Sequence, residues 1–340
     1  MSASSKDIMV YAEFSAGSLH PVSFELLGKA TELAKKASSR VLSVIVGYGL
    51  SGAIKELVFH GADLVYAVDH ASMDNFDAKL FQQNVVAVVQ DVKPGILLLG
   101  ATPLGRSLGP RVGASLGTGV TADCTGLDIT PDGKLVQVRP AFAGNILATI
   151  QTSTRPQTAT VRYRVMKPAP RDPNRRGEVV MMDPVATEPS AKALSRSRSK
   201  RTDISNADII VSVGRGLAKP EDLTLVRRLA ESLGAIVGSS RPLVDDGWTL
   251  KEQQVGFSGN VVKPKLYVAC GISGSPQHLF GMRDSEHIIA INKDPSAPIF
   301  NVSDVGVQMD LYEIVPLLTE ELRRRQLRAT RAGSTGRQTH

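Results

Sequence analysis

The feature that most constrains this chain is a series of short apolar runs between residues 209 and 311. Each stops at glycine or at a side chain that can donate a hydrogen bond. Residues 209–213 (IIVSV) are followed by Gly214 and Arg215, and residues 235–237 lead to Ser239, Ser240 and Arg241. Residues 266–270 (LYVAC) give way to Gly271-Ile272-Ser273-Gly274, and residues 288–291 give way to Asn292. In an open parallel sheet, ligands sit outside the carboxyl ends of the strands. Four such ends carrying donors therefore predict a nucleotide-sized site on one sheet edge.

The turn after residue 270 is the richest of these. Glycine lets backbone approach a pyrophosphate, and a helix N-terminus offers unpaired N–H groups and partial positive charge. An ordinary strand-to-helix turn needs one glycine and one cap, whereas Ser273, Ser275 and Gln277 exceed that requirement. Other signatures fail. Gly214-Arg215-Gly216 lacks the third glycine of a dinucleotide fingerprint, because Lys219 occupies its place, and no GxxxxGK[ST] P-loop is present. Gly256-Phe257-Ser258-Gly259 misses the spacing of a GxSxG elbow, and no HExxH occurs.

Earlier in the chain, strands alternate with helical patterns. Residues 7–13, 40–47, 63–68 and 95–100 are strand candidates, with helices over 22–38, 51–59, 75–92 and 104–116. This order predicts a parallel α/β sheet covered on both faces. Residues 122–129, 134–138, 146–152 and 159–165 then form β-rich runs without helices, the first pair split by the turn Thr130-Pro131-Asp132-Gly133. They are expected to extend the first sheet in mostly antiparallel fashion. Proline punctuation at 168, 170 and 173, a short strand over 177–182 and a Ser/Arg stretch mark the region 167–202 as the linker. The expected organisation is a three-layer N-terminal α/β domain with a mixed sheet extension (1–185), a basic linker (186–203), a Rossmann-like parallel-sheet domain (204–326) and a disordered basic tail (327–340).

Charge sharpens this picture. Of 40 basic residues, five lie in 191–201 and six in 322–340, both stretches free of acids. Setting those eleven aside leaves 29 bases against 33 acids, so the net charge of +7 comes from linker and tail. With only 5% aromatics and no basic folded face, nucleic-acid binding is not expected. Cys124 and Cys270 stand far apart in or beside apolar runs, which reads as two buried thiols and no metal site. No apolar run approaches the length of a membrane span and no signal region opens the chain, so a cytoplasmic protein is expected.

The second half resembles the FAD domain of the α subunit of electron-transfer flavoproteins. The resemblance rests on Gly214-Arg215-Gly216, Gly238-Ser239-Ser240-Arg241, Gln254-Val255-Gly256, Gly271-Ile272-Ser273-Gly274-Ser275-Pro276-Gln277-His278, Ala290-Ile291-Asn292-Lys293-Asp294-Pro295 and Asp310-Leu311. These six motifs occur in the family's order. Thr121-Ala122-Asp123-Cys124-Thr125-Gly126 and Arg139-Pro140-Ala141-Phe142-Ala143-Gly144-Asn145 are similar to subunits from anaerobic, electron-bifurcating systems, and a structural role in the sheet extension and subunit contact is expected of them.

The resemblance implies FAD on the carboxyl edge of the second sheet. It places Arg241 against the isoalloxazine ring, the Ser258 hydroxyl on its N5 and His278 near its pyrimidine carbonyl. It also places Val255, Gly256, Phe257, Ser273, Gly274, Ser275, Pro276 and Gln277 around the cofactor. Phe257 stands where many members carry glutamine. Arg215, Ser240, Asn292, Asp310 and Leu311 match positions contacting pyrophosphate, ribose or adenine. A unit charge about 4 Å from developing negative charge contributes ~4 kcal/mol at an effective dielectric near 20. By resemblance the chain is an electron carrier paired with a β subunit that holds AMP or, in bifurcating members, a second FAD. Its redox partners would be acyl-CoA dehydrogenase-type flavoenzymes and a quinone oxidoreductase or ferredoxin-linked system, reached by a swivel about 167–202. A competing expectation is an adenine-nucleotide-dependent hydrolase or ligase on the same fold.

Overall fold

A computed structural model describes residues 6–141, 146–191 and 204–335. The motif residues Phe142, Ala143, Gly144 and Asn145, most of the basic linker and the last five residues of the tail lie outside the described residues. The chain divides into two compact units, residues 1–196 and 197–340.

In the first unit, β1 (Ile8–Ala12) passes through a small hairpin, β2 (Phe14–Ser15) and β3 (Ser18–Leu19), into α1 (Val22–Ala37). The alternation continues with β4 (Val41–Gly47), α2 (Ser51–Phe59), β5 (Leu64–Asp69), α3 (Ala78–Val92), β6 (Ile96–Gly100) and α4 (Pro103–Ser115). Then come β7 (Val120–Cys124), β8 (Gly126–Ile129), β9 (Leu135–Ala141), β10 (Ile146–Ile150), β11 (Gln157–Val161) and β12 (Glu178–Met181). The main sheet has the order β12-β5-β4-β1-β6-β11-β7 and every pair in it is parallel. Successive residues of a strand face opposite sides. Ile8 and Val10 accordingly pack with Leu26 of α1 and Leu57 of α2, while Met9 and Tyr11 pack with Phe81 of α3 and Leu108 of α4.

The β-rich stretch departs from expectation. Residues 122–129 are not one strand: the run breaks between Cys124 and Gly126, just after Asp123, which takes a positive φ of 61°. Its carboxylate is held there by Arg162 at 2.6 Å and Arg106 at 3.3 Å. β7 and β11 join the main sheet in parallel, and of this stretch β8, β9 and β10 are antiparallel, in a separate sheet. Composition hid this, since β11 is buried at every position despite Gln157, Thr158 and Thr160. Gln157 satisfies its amide by accepting from Leu135 N (2.8 Å) and donating to the Thr152 carbonyl (2.6 Å).

The linker is also shorter than expected. Ala169 N bonds the Phe24 carbonyl and Asp172 N the Phe59 carbonyl. Arg171 pairs with Glu56 and Arg175 with Asp63. Asn84 Oδ1 accepts from Val185 N, and the Asp77 carboxylate takes Ser190 N at 2.8 Å. Residues 167–190 are therefore strapped to the first unit by backbone hydrogen bonds that an apolar-pattern reading does not register.

The start of this strap depends on Glu25, which is 6% exposed and accepts from the backbone N–H groups of Arg164 (3.1 Å) and Met166 (3.4 Å). Burial pushes its carboxyl up to about 7, against the opposing pull of those N–H groups and of Arg164. Between pH 4.5 and about 7 the folded state thus holds a proton that the unfolded state has lost. This group's contribution to stability falls as pH rises through that window, by about 3 kcal/mol in all. Glu25→Gln should flatten the decline, which urea unfolding of parent and variant at pH 5 and pH 8 will show; parallel changes in both would contradict it.

In the second unit, β13 (Ile209–Val213), α5 (Leu223–Leu233), β14 (Ile236–Ser239), α6 (Arg241–Asp245), β15 (Leu266–Cys270), α7 (Pro276–Phe280), β16 (His287–Ile291), β17 (Val305–Val307) and α8 (Leu311–Thr335) follow in turn. The sheet order is β14-β13-β15-β16-β17, again wholly parallel. α8 runs to Thr335 rather than ending near Gln326, so 327–335 are helical and not a disordered tail. Arg, Ala and Leu are good helix formers as well as tail-like in composition. Pairs Glu320–Arg324 and Glu321–Arg325 at i,i+4 add support. No described helix is long and apolar enough to cross a membrane.

Candidate functional site

The strand order of the second unit reverses direction between β13 and β15, where the chain leaves β14 and crosses to the other side. Such a switch point opens a crevice at the carboxyl ends of the two strands. Here it is flanked by the two glycine turns singled out in the sequence. Gly214 N bonds the Cys270 carbonyl and Gly216 N the Gly271 carbonyl, each at 3.0 Å. Gly271 has a φ of +61°, and a side chain there would start 2.7 Å from both the Gly216 Cα and Leu311 Cδ2. The turns interlock backbone to backbone, with Leu311 as the apolar floor, and only glycine allows that approach.

The remaining predicted residues arrive on the same edge by separate routes. Ser240 N bonds the Val213 carbonyl, bringing Ser240 and the start of α6 beside the β13 turn. Val255 N bonds the Ser239 carbonyl, which lays the 254–260 loop along β14. Phe257 N bonds the Gln277 carbonyl (2.8 Å), tying that loop to α7. Asn292 Nδ2 donates to the Ile272 carbonyl (2.9 Å), and Asp310 caps α8 through Tyr312 N (2.9 Å). Arg215, Arg241, Phe257, Ser258, Ser273, Ser275, Pro276 and Gln277 are exposed, whereas Val255, Gly256, Gly274, His278 and Leu311 are buried. The result is a row of exposed donors above a glycine and apolar base.

Two expectations change. α7 is a single turn of five residues opened by Pro276, which has no N–H, so it builds no macrodipole for a phosphate. The donors left on this edge are the glycine-turn backbone and the exposed side chains. His278 is only 5% exposed, with Nε2 3.0 Å from the Tyr267 hydroxyl. Burial pushes its imidazole down to about 4, so it is neutral at pH 7. The Val255 carbonyl, near the ring but not hydrogen-bonded to Nδ1, acts the other way. Nδ1 is buried and makes no hydrogen bond among the described residues.

Arg241 Nε lies 3.1 Å from Asp245 on the surface, both side chains more than half exposed. Cys270 and Cys124 are buried free thiols that burial pushes up to about 12, inert packing groups as the sequence indicated. No described cluster of His, Cys, Asp and Glu forms a metal site.

Sequence reasoning missed Tyr267 and Lys251. Strand alternation sends Tyr267 and Ala269 to the α7 side of the sheet while Val268 and Cys270 face the other, which was the available signal for Tyr267. Lys251 carried none, as a lone loop cation.

Comparison with known proteins decides what this architecture is. Residues 8–187 match the family described as electron transfer flavoprotein domain, and residues 203–283 match the electron transfer flavoprotein FAD-binding domain. The chain belongs to the electron transfer flavoprotein α-subunit family. It is 44% identical to the electron transfer flavoprotein subunit alpha of Thermoanaerobacterium thermosaccharolyticum, over 94% of this chain and 98% of the relative. It is 43% identical to the subunit LctC of the NAD(+),ferredoxin lactate dehydrogenase of Acetobacterium woodii, over 92% of this chain and 76% of that one. Protein FixB of Azorhizobium caulinodans is 40% identical over 94% and 89%. Its role is that of an electron transfer flavoprotein α subunit, with FAD as cofactor, and the adenylate hydrolase or ligase reading is set aside. The FAD-binding match spans Arg215 to His278 and stops short of Asn292, Asp310 and Leu311.

Proposed function

We propose that this α subunit pairs with a β subunit in the cytoplasm, and that the pair carries single electrons without substrate chemistry of its own. The electrons would pass from acyl-CoA dehydrogenase-type flavoenzymes to a quinone oxidoreductase or ferredoxin-linked acceptor. The observation supporting the site is the pair of interlocked glycine turns at the β13/β15 switch point, under a row of exposed donors. Bound FAD supplies the electron-accepting ring system, and the protein supplies position and electrostatics.

The interlocked turns at Gly216 and Gly271 hold the two strand ends together, and a pyrophosphate would lie among the exposed Arg215, Ser273, Ser275 and Gln277 beside them. Ser240, Asn292, Asp310 and Leu311 line the route taken by ribose and adenine. At the ring, Arg241 offers a positive charge, the Ser258 hydroxyl donates to a nitrogen, and His278 offers Nδ1 to a carbonyl oxygen. Val255, Gly256, Phe257, Gly274 and Pro276 shape the walls; exposed Phe257 stands edge-on to Phe280 at 5.2 Å and gives an apolar surface where many relatives place glutamine.

A second reading, in which the pair works inside a bifurcating complex, draws on the 43% identity to LctC, whose name couples NAD(+) and ferredoxin. One experiment addresses both. The chain co-produced with its β subunit is reduced stepwise while the visible spectrum is recorded and flavins per pair are counted. Flavin bands that disappear in two one-electron stages support the carrier, with one flavin favouring simple transfer and two favouring bifurcation. A colourless pair that FAD does not reconstitute would overturn the reading.

A further inference from the structure

Ser258 is useful to a ring nitrogen only if its proton points outward, and the loop beneath it controls that direction. Lys251 Nζ lies 2.8 Å from Gln254 Oε1 and 3.1 Å from the Ser258 carbonyl oxygen. Gln254 is 1% exposed, and its Nε2 lies 2.9 Å from Ser258 Oγ. The loop is closed behind them by Asn260, whose N donates to the Gln254 carbonyl (2.7 Å) and whose Nδ2 reaches the same oxygen and the Glu252 carbonyl. The two ends of an amide are interchangeable in shape, but an ammonium group has only donors. The atom facing Lys251 must therefore be the oxygen, and the atom facing Ser258 must be the NH₂. An amide NH₂ can only give hydrogen bonds, so Ser258 Oγ is the acceptor and its own proton is directed elsewhere. Ser258 is exposed on the site side, where that proton is free to donate.

We infer that Lys251 and Gln254 are positioning residues that polarise the Ser258 hydroxyl into an obligate donor toward an acceptor nitrogen of the bound flavin. This rests on the flavoprotein reading above. Neither residue needs to touch the cofactor. Their order in space, a donor-only cation, an amide and a hydroxyl, removes the orientation in which Ser258 would turn its proton back into the loop.

Gln254→Glu inverts the relay while keeping the shape. A carboxylate accepts both from Lys251 and from the Ser258 hydroxyl, which turns the proton inward. Because the new charge also acts on the flavin directly, the readout is the effect of Ser258→Ala in each background, a double-mutant cycle. The measured quantity is the equilibrium constant of the first one-electron reduction, by spectroelectrochemistry of the FAD-loaded α/β pair, with flavin content and melting temperature recorded for each variant. In the parent background Ser258→Ala should change that constant about tenfold, the loss of one hydrogen bond to a group gaining charge. In the Gln254→Glu background the same substitution should change it less than about twofold. If Gln254→Glu fails to hold FAD, Lys251→Met serves instead, since it frees the amide to turn and should cut the Ser258→Ala effect to about threefold. A tenfold effect that persists in these backgrounds overturns the relay. An FAD-loaded parent in which Ser258→Ala changes nothing overturns it too and leaves the flavoprotein reading standing, whereas a parent that binds no FAD removes both.

Discussion

Gly274→Ala should strip FAD from the second unit and move its unfolding midpoint to clearly lower denaturant. Gly274 sits at a φ of +89°, and an added Cβ would start 2.3 Å from Ile299 N and 2.7 Å from its Cα. Both contacts are backbone, so no side chain can swing aside. Ile299 is fully buried in the second unit's core, and its N–H is bonded to the Ser273 carbonyl at 3.0 Å. A left-handed conformation costs a non-glycine residue about 1–2 kcal/mol. Losing the Ser273–Ile299 hydrogen bond costs about 1 kcal/mol more, and displacing a packed core residue about 1–3. Together these reach about 3–6 kcal/mol, against a total stability of about 5–15 for a domain. Ser273 and Ser275 flank the shifted residue, so the donors move with it.

Gly234→Ala is the control, because Gly234 shares the positive φ (+63°) but would place its Cβ in open space. It should cost only the strain, about 1 kcal/mol. Urea unfolding with flavin absorbance measured on both variants checks the pair; equal midpoints would show that the close approach to Ile299 is not what holds this turn.

Arg241→Ala should leave fold and FAD content intact and shift the flavin potentials by on the order of 170 mV, the ~4 kcal/mol of a nearby charge expressed for one electron. The two effects separate because Arg241 does little for the fold. Its pair with Asp245 is exposed on both sides, and such pairs contribute about 0.5 kcal/mol or less. Against the ring, by contrast, the charge would stand about 4 Å from the developing negative charge, where an effective dielectric near 20 gives the ~4 kcal/mol. The acid partner moderates this, so Asp245→Asn should shift the potentials the opposite way by a smaller amount. Spectroelectrochemical titration of the three proteins decides it: potentials unchanged in Arg241→Ala would remove this arginine from the flavin.

What was legible in the sequence follows from how local the signal is. The strands of the second unit announce themselves as apolar runs ending in glycine, and β13, β15 and β16 lie where those runs lie. The turns at Gly214 and Gly271 follow directly from strand ends, whereas the 254–260 loop reaches that edge only through its bonds to Ser239 and Gln277. β11 was misread because its Gln and Thr side chains are buried and satisfied by partners far along the chain. The strap over 167–190 was misread as linker for a similar reason, since its hold on the first unit comes from backbone groups and ion pairs rather than an apolar period. The short α7 was overestimated because its glycine turn reads like the opening of a longer helix.

The sequence alone determined the alternating α/β class, the glycine turns and the ordered motifs of the family, because each depends on residues close together in the chain. Only the tertiary structure decided which strand neighbours which, and so that Gly216 meets Gly271 at a switch point. It alone buried His278 against Tyr267 and aimed Lys251 and Gln254 at Ser258. Gly216 and Gly271 are far apart in the chain, while Lys251, Gln254 and Ser258 are near neighbours that meet only through the path of an irregular loop, and neither kind of contact leaves a periodic trace.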